Sequence, residues 1–297
     1  MSLRQTLRGT GVAVITPFTN NNEVDFSALG KVLDHIIDNG VNYVVTLGTT
    51  GEAPVLSSEE KKSIINFTEK HIAERVPMVV GIGGNDTASV IEDLKSYPLE
   101  GAAAVLSASP YYNKPSQEGL FQHYMALAAA SPKPVILYNV PGRTARNMES
   151  RTTLRLAAES GNIAGVKEAS GDMQQCMEIL KDRPDNFLVT SGDDVLALSQ
   201  IACGMDGVIS VAANCFPKEF ADMINLCLDY NFTEAVKINN KLLDAYNLMF
   251  AENNPAGAKA FLHEMKLIEN AVRLPVVPLS GELHQRVKKY LATNVTV

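Results

Sequence analysis

The chain has 297 residues, 46% of them hydrophobic and 20% charged, proportions that exclude disordered, collagen-like and disulfide-scaffold readings. Its 33 acidic residues outnumber 26 Lys and Arg, leaving a net charge of −7, which argues against a nucleic-acid or anionic-membrane partner held by basic surface. Four cysteines, Cys176, Cys203, Cys215 and Cys227, form no CxxC pair and read as buried, reduced thiols of a cytoplasmic protein.

Along the chain, short apolar runs alternate with longer amphipathic stretches. GVAVI from Gly11 predicts the first strand. Phe26 to Asn39 then sets Leu29, Val32, Leu33 and Ile36 on one face and stops at Gly40, which predicts a helix with a glycine stop. After YVVTL from Tyr43, the sequence Ser57-Ser58-Glu59-Glu60 forms a capping box ahead of Ile64, Ile65 and Ile72. PMVVGI from Pro77, AAVLS from Ala103, PVILYN from Pro134, IAGVKE from Ile163, FLVTS from Phe187 and GVISV from Gly207 complete eight strand runs. Helices are predicted from Thr87, Gln117, Glu149, Met173, Asp193 and Pro217. Nearly continuous apolar runs belong to strands buried on both faces of a parallel sheet. Eight strand-then-helix units predict an α/β protein, a (β/α)8 TIM barrel spanning residues 1–229. An open doubly wound sheet is the rival, but GIGGND from Gly81 does not fit its GxGxxG fingerprint.

Residues 230–297 read as a C-terminal domain of three helices. Phe232, Val236, Leu243, Tyr246 and Phe250 recur at helical spacing, Asn254-Pro255 reads as an N-cap followed by proline in the first turn, and Glu282 to Leu291 forms the last helix. The tail is assigned to core and subunit packing rather than to chemistry.

Reacting groups of such barrels gather at the carboxyl ends of the strands. Lys167 is the unusual residue there, a lysine inside an apolar strand. Alternation puts Ile163, Gly165 and Lys167 on one face, with Gly165 leaving space beneath the side chain. A desolvated amine is relieved by losing its proton, and a neutral lysine is the nucleophile for a Schiff base with a carbonyl substrate. Pairing with Glu168 or emergence into solvent is the structural alternative. Tyr138, at the end of the neighbouring strand, is a proton carrier or simply amphipathic packing. Thr49 and Thr50, between Gly48 and Gly51, offer hydroxyls and backbone N–H groups as a carboxylate cradle, or form an ordinary turn. Arg143 can hold a carboxylate through two parallel hydrogen bonds or can face water.

Metal, nucleotide and serine-hydrolase chemistry find little support. The five histidines fall in predicted helices without HxH or HExxH spacing, and GxSxG and GxxxxGK[ST] are missing. No run approaches the ~18 apolar residues of a membrane span, and the opening segment reads as neither signal peptide nor anchor.

Six motifs occur in order on successive strands: GTTGE from Gly48, PYYNKP from Pro110, YNVPGRT from Tyr138, GVKEASGD from Gly165, SGDD from Ser191 and GVISV from Gly207. Together they resemble the dihydrodipicolinate synthase (4-hydroxy-tetrahydrodipicolinate synthase) family, within the class I pyruvate-dependent aldolases that include N-acetylneuraminate lyase. The resemblance implies that Lys167 forms an imine with pyruvate, and that Tyr138, Thr49 and Tyr112 relay protons, Tyr112 entering from a neighbouring subunit. It also implies that Thr50 holds the pyruvate carboxylate, that Arg143 holds the carboxylate of aspartate semialdehyde, and that Gly192 and the Ile209 carbonyl line the pocket. No metal or organic cofactor is implied, and a cytoplasmic homotetramer serving lysine and diaminopimelate biosynthesis is expected. Relatives cleaving N-acetylneuraminate or 2-keto-3-deoxy sugar acids usually lack the arginine of the fifth-strand turn, so Arg143 favours the synthase.

Around the family's lysine-inhibition site the chain keeps Asn85 and Tyr111 but carries Ser58, Lys61 and Ser89 where lysine-sensitive members carry histidines and a glutamate. Lys61 would repel a lysine cation. Feedback inhibition is expected to be weak or absent.

Overall fold

The computed structural model describes residues 2–294. Eight strands, β1 (Gly9–Ala13), β2 (Tyr43–Thr46), β3 (Met78–Gly81), β4 (Ala102–Ala108), β5 (Val135–Asn139), β6 (Ile163–Glu168), β7 (Leu188–Ser191) and β8 (Gly207–Ser210), pair in sequence order. Every pairing is parallel, and β8 closes on β1, so the sheet is a barrel without an edge. Alternation along the strands sorts the apolar residues into two layers. Ala13, Tyr43, Val45, Val79, Ala104, Leu106, Ile136, Tyr138, Leu188 and Ile209 fill the lumen. Val44, Val80, Val105, Leu137, Val166 and Val189 face outward, in the layer shared with the helices.

The alternation breaks in β6. Val135 pairs with Ile163, but Ile136 pairs with Gly165, so Ala164 is an extra residue in the strand. Ile163 therefore belongs to the outer layer, contrary to its expected place on the Lys167 face. Gly165 also has a different role from the one expected. A Cβ there would lie 2.7 Å from Leu188 Cβ, so glycine allows β7 to approach rather than opening space under Lys167.

The helices start where their caps dictate. Asp25 accepts from the Ala28 N–H at 2.9 Å to begin Phe26–Asp38, and Ser57 and Glu60 form the expected reciprocal box at the head of Ser58–Ile72. The helix expected from Asp193 begins instead at Ala197. The Asp193 carboxylate accepts from the Val195 and Leu196 N–H groups and holds a turn before it. Cys203 is exposed, not buried as expected.

The amino-terminal end of the barrel is closed by a short helix, Leu3–Thr6, which the strand-and-helix periodicity did not reveal. Leu3 and Leu7 pack into the lumen layer, while Asp206 accepts from Arg4 Nε at 2.8 Å, Arg183 Nη1 at 2.6 Å and the Val189 N–H at 2.9 Å. Beyond residue 230, helices Phe232–Phe250, Ala256–Glu264 and Gly281–Asn294 pack on the barrel beside Pro217–Leu228. Asn254 is not the cap of the second of these, because the first helical turn starts at Ala256 with Pro255 as its cap.

Asp206 is buried between two cations, and removing it strands both. Asp206→Ala should lower stability by about 3 kcal/mol, read as a fall in the urea midpoint with unchanged slope.

Candidate active site

A cavity of about 380 Å³ opens at the carboxyl ends of the strands, and Thr49, Thr50, Tyr138, Arg143, Lys167 and Gly192 all line it. These six come from the carboxyl ends of four strands, β2, β5, β6 and β7, and barrel closure is what brings them together. Lys167 is 4% exposed and its Nζ stands 4.4 Å from the centre of the Tyr138 ring. Burial pushes its amine down to about 8; Arg143 pushes the same way, and the Asp194 carboxylate opposes them. The alternative pairing with Glu168 does not form. Glu168, one residue on and facing the helices, accepts from Asn139, Gln175 and the Ser170 N–H instead.

Gly192 makes room for the amine's stem: a Cβ there would stand 2.9 Å from Lys167 Cε and 2.6 Å from Ala169 Cβ. Tyr138 is buried, which pushes its phenol up to about 12 against the opposing influence of Arg143 and the Thr49 hydroxyl. It thus keeps its proton at neutral pH and can donate it. Thr49–Gly51 is a 3-10 turn started by Gly48 and tied to the barrel by Thr16 Oγ1, which donates to the Gly51 carbonyl at 2.7 Å. Thr50 is buried in this turn, and its Oγ1 accepts from Asn254 Nδ2 at 3.0 Å. Arg143 sits in the short helix Pro141–Thr144. Its guanidinium makes no hydrogen bond or ion pair with the described residues, leaving a cation free to meet an anion.

The remaining expected site residues lie elsewhere. Ile209 is buried in the lumen layer beneath the cavity, whose β8-side wall is Val211. Tyr112 is 88% exposed, in a left-handed conformation with φ of 71°, and does not line the cavity. Tyr111 lines an adjoining cavity of about 440 Å³ together with Lys61, Asp93 and Tyr97. Asn85 is exposed outside both, its carbonyl accepting from Asn113 Nδ2 at 3.0 Å.

Three residues without an expected role belong to the site. Asp194 is buried and accepts from the N–H groups of Val211 and Ala212. Burial raises its carboxyl to about 6, and it fixes the backbone after β8. Phe250 and Asn254 line the cavity from the helical tail, correcting the assignment of that tail to packing alone. No local sequence signal marks Asn254, which follows the polar, exposed pair Glu252-Asn253. Among the described residues, no group of three or more His, Cys, Asp or Glu is placed to hold a metal, and no helix is long and apolar enough to cross a membrane.

A closed parallel barrel with a desolvated amine and hydroxyl groups converging at its carboxyl-terminal mouth defines the class, a TIM-barrel enzyme with a lysine-centred pocket. The chain belongs to the dihydrodipicolinate synthetase family, whose model matches residues 6–294. It is 48% identical over 285 residues to the 4-hydroxy-tetrahydrodipicolinate synthase of Parabacteroides distasonis, covering 96% of each chain. Among solved structures it resembles the dihydrodipicolinate synthase of Aquifex aeolicus, with a TM-score of 0.93, 37% identity and coverage of 96% and 97%. It also resembles the dihydrodipicolinate synthase of Acinetobacter baumannii complexed with pyruvate, with a TM-score of 0.95, 39% identity and coverage of 98% and 100%.

The buried amine opposes folding while it is charged. Unfolded, it ionises near the ordinary lysine value of 10.5, and folded near 8. Folding therefore releases a proton between those values, and the stability cost is full below pH 8 and gone above about 10.5. Lys167→Met should raise the urea midpoint at pH 7, and the gain should shrink as pH rises through that window.

Proposed function

We propose that this chain is a lyase that condenses pyruvate with L-aspartate 4-semialdehyde to 4-hydroxy-tetrahydrodipicolinate, the step that commits carbon to diaminopimelate and lysine. The observation that carries the reading is the buried Lys167 amine, brought down to about 8 inside a cavity that also presents Tyr138, Thr49, Thr50 and an unpaired Arg143. The neutral amine adds to the pyruvate carbonyl, and the carbinolamine hydroxyl leaves as water with a proton supplied by the Tyr138 phenol, giving the imine. Loss of a methyl proton makes the enamine, whose carbon attacks the aldehyde. The amine of the second substrate then displaces Lys167, which is released with its proton inventory restored, and the ring closes.

In this proposal Thr50 and the N–H groups of its turn hold the pyruvate carboxylate, and Arg143 holds that of the semialdehyde. Gly192 lines the pocket wall, and the Ile209 carbonyl is assigned to the floor beneath it. Tyr112, exposed on its own chain, joins Tyr138 and Thr49 in the proton relay by entering the cavity of a second copy, which requires at least a dimer; the family resemblance extends this to a cytoplasmic homotetramer. The imine serves as the electron sink, and no metal or organic cofactor takes part. A barrel of residues 1–229 and a helical region of 230–297 both contribute to the pocket, through Lys167 and Asn254 respectively.

Borohydride reduction in the presence of pyruvate, followed by peptide mapping, should leave an adduct of pyruvate mass on Lys167. Lys167→Ala should abolish the adduct and reduce turnover by at least about a thousandfold, the scale lost with a covalent nucleophile. Tyr112→Phe should lower turnover while the adduct persists. Turnover of N-acetylneuraminate or a 2-keto-3-deoxy sugar acid without turnover of the semialdehyde would reject the synthase reading.

We further propose weak or absent inhibition by lysine. Lys61 stands in the wall of the second cavity beside Tyr111, and Ser89 is committed to Asp86 through both its hydroxyl and its N–H. Activity should hold at 1 mM lysine to within about twofold, given that a like charge in a site acts against binding; a steep fall below that concentration would refute this reading.

A further inference from the structure

Thr50 Oγ1 accepts a hydrogen bond from the Asn254 Nδ2 at 3.0 Å, and both side chains are buried at the edge of the cavity. A hydroxyl that accepts on one lone pair still has one proton to give. With the amide donating to it, the Thr50 hydroxyl keeps its own proton for an acceptor in the cavity that both residues line. The Asn254 Oδ1 has no partner of its own.

The two chain segments that meet here are also pinned one turn further along. Glu52 follows the Thr49–Gly51 turn in a left-handed conformation, φ 55°, and its carboxylate pairs with Lys259 from the same tail stretch as Asn254. Lys259 is fully buried, donates to the Ala271 carbonyl at 2.9 Å and lies 4.1 Å from the centre of the Phe18 ring. The Arg273 N–H donates to the other Glu52 oxygen, and the Arg273 guanidinium binds Glu60 and the Val55 carbonyl. The turn and the tail therefore move as one unit, and the Asn254 amide is held at a fixed distance from Thr50.

We propose that Asn254 is a positioning residue for the keto-acid carboxylate: its amide turns the Thr50 hydroxyl into an obligate donor toward the cavity. The proposal rests on the reading of Thr50 as a carboxylate ligand and deepens it. Asn254 acts through Thr50, so its loss should appear in pyruvate capture and not in the steps that follow.

The test measures the pyruvate concentration that gives half-maximal borohydride trapping on Lys167, with no aldehyde present. Asn254→Ala should raise it about tenfold, the scale of one well-placed hydrogen bond, while kcat at saturating pyruvate changes less than threefold. Asn254→Asp, close to isosteric, tests direction. As a carboxylate it would accept the Thr50 proton and repel the substrate, so half-saturation at pH 8 should rise above that of the alanine variant. Once protonated it can donate again, so its ratio to the parent should fall as pH is lowered to 5.5. In a Thr50→Val background, Asn254→Ala should add less than twofold, because the two act as a unit.

Half-saturation within twofold of the parent in folded Asn254→Asp at pH 8, or full additivity with Thr50→Val, would overturn the proposal. If the parent itself gives no adduct on Lys167, the functional reading fails; if it does and the variants are unmoved, only this inference fails.

Discussion

The molecule is organised around the cost of taking one ammonium group out of water. A lysine with 4% exposure inside an apolar barrel cannot keep an ordinary basicity, and the amine responds by giving up its proton more readily. Everything near it serves that condition. Gly192 leaves room for its stem, the ring of Tyr138 faces it, and the Asp194 carboxylate limits how far its basicity falls. The short helix Leu3–Thr6 and the Arg4–Asp206–Arg183 cluster close the opposite end, so that only the mouth of the barrel admits solvent or a ligand.

A second constraint concerns the turn opposite the amine. Thr49 and Thr50 stand on three residues of 3-10 helix, too little structure to hold its own geometry. Support comes from outside the barrel, through Asn254 on Thr50 and the buried Glu52–Lys259 pair, with Arg273 bridging to Glu60. A buried ion pair is rarely a gain in stability over apolar packing, but losing one partner is expensive. Its effect is to make the docking of the tail on the turn specific.

The barrel was legible in the sequence because a parallel strand buried on both faces leaves an unbroken apolar run, and Ser57 and Glu60 announce a helix start by local chemistry. Lys167 was legible as a charge where none is cheap. What the sequence did not reveal depended on contacts far along the chain. Asn254 meets Thr50 across 204 positions, and nothing local to either announces the other. Asp194 stood in a recognised motif, but its function in holding Val211 and Ala212 exists only once β7 and β8 are neighbours. The extra residue in β6 escaped notice because alanine fits a strand and a bulge equally well; only the pairing with β5 exposes it.

That single alanine has a consequence for which charge meets the ligand. Lys167 and Glu168 are consecutive, opposite in sign, and both buried, one toward the lumen and the other toward the helices. Their assignment to the two sides is a matter of parity, set by the number of paired residues between the outward-facing Ile163 and the mouth, with Ala164 left out of the count. Were Ala164 paired as an ordinary strand residue while Ile163 kept its place, Lys167 would turn to the helices and Glu168 to the lumen, and a basic interior would become acidic. The bulge, and not the order of residues alone, therefore decides which of two neighbouring charges reaches the mouth of the barrel.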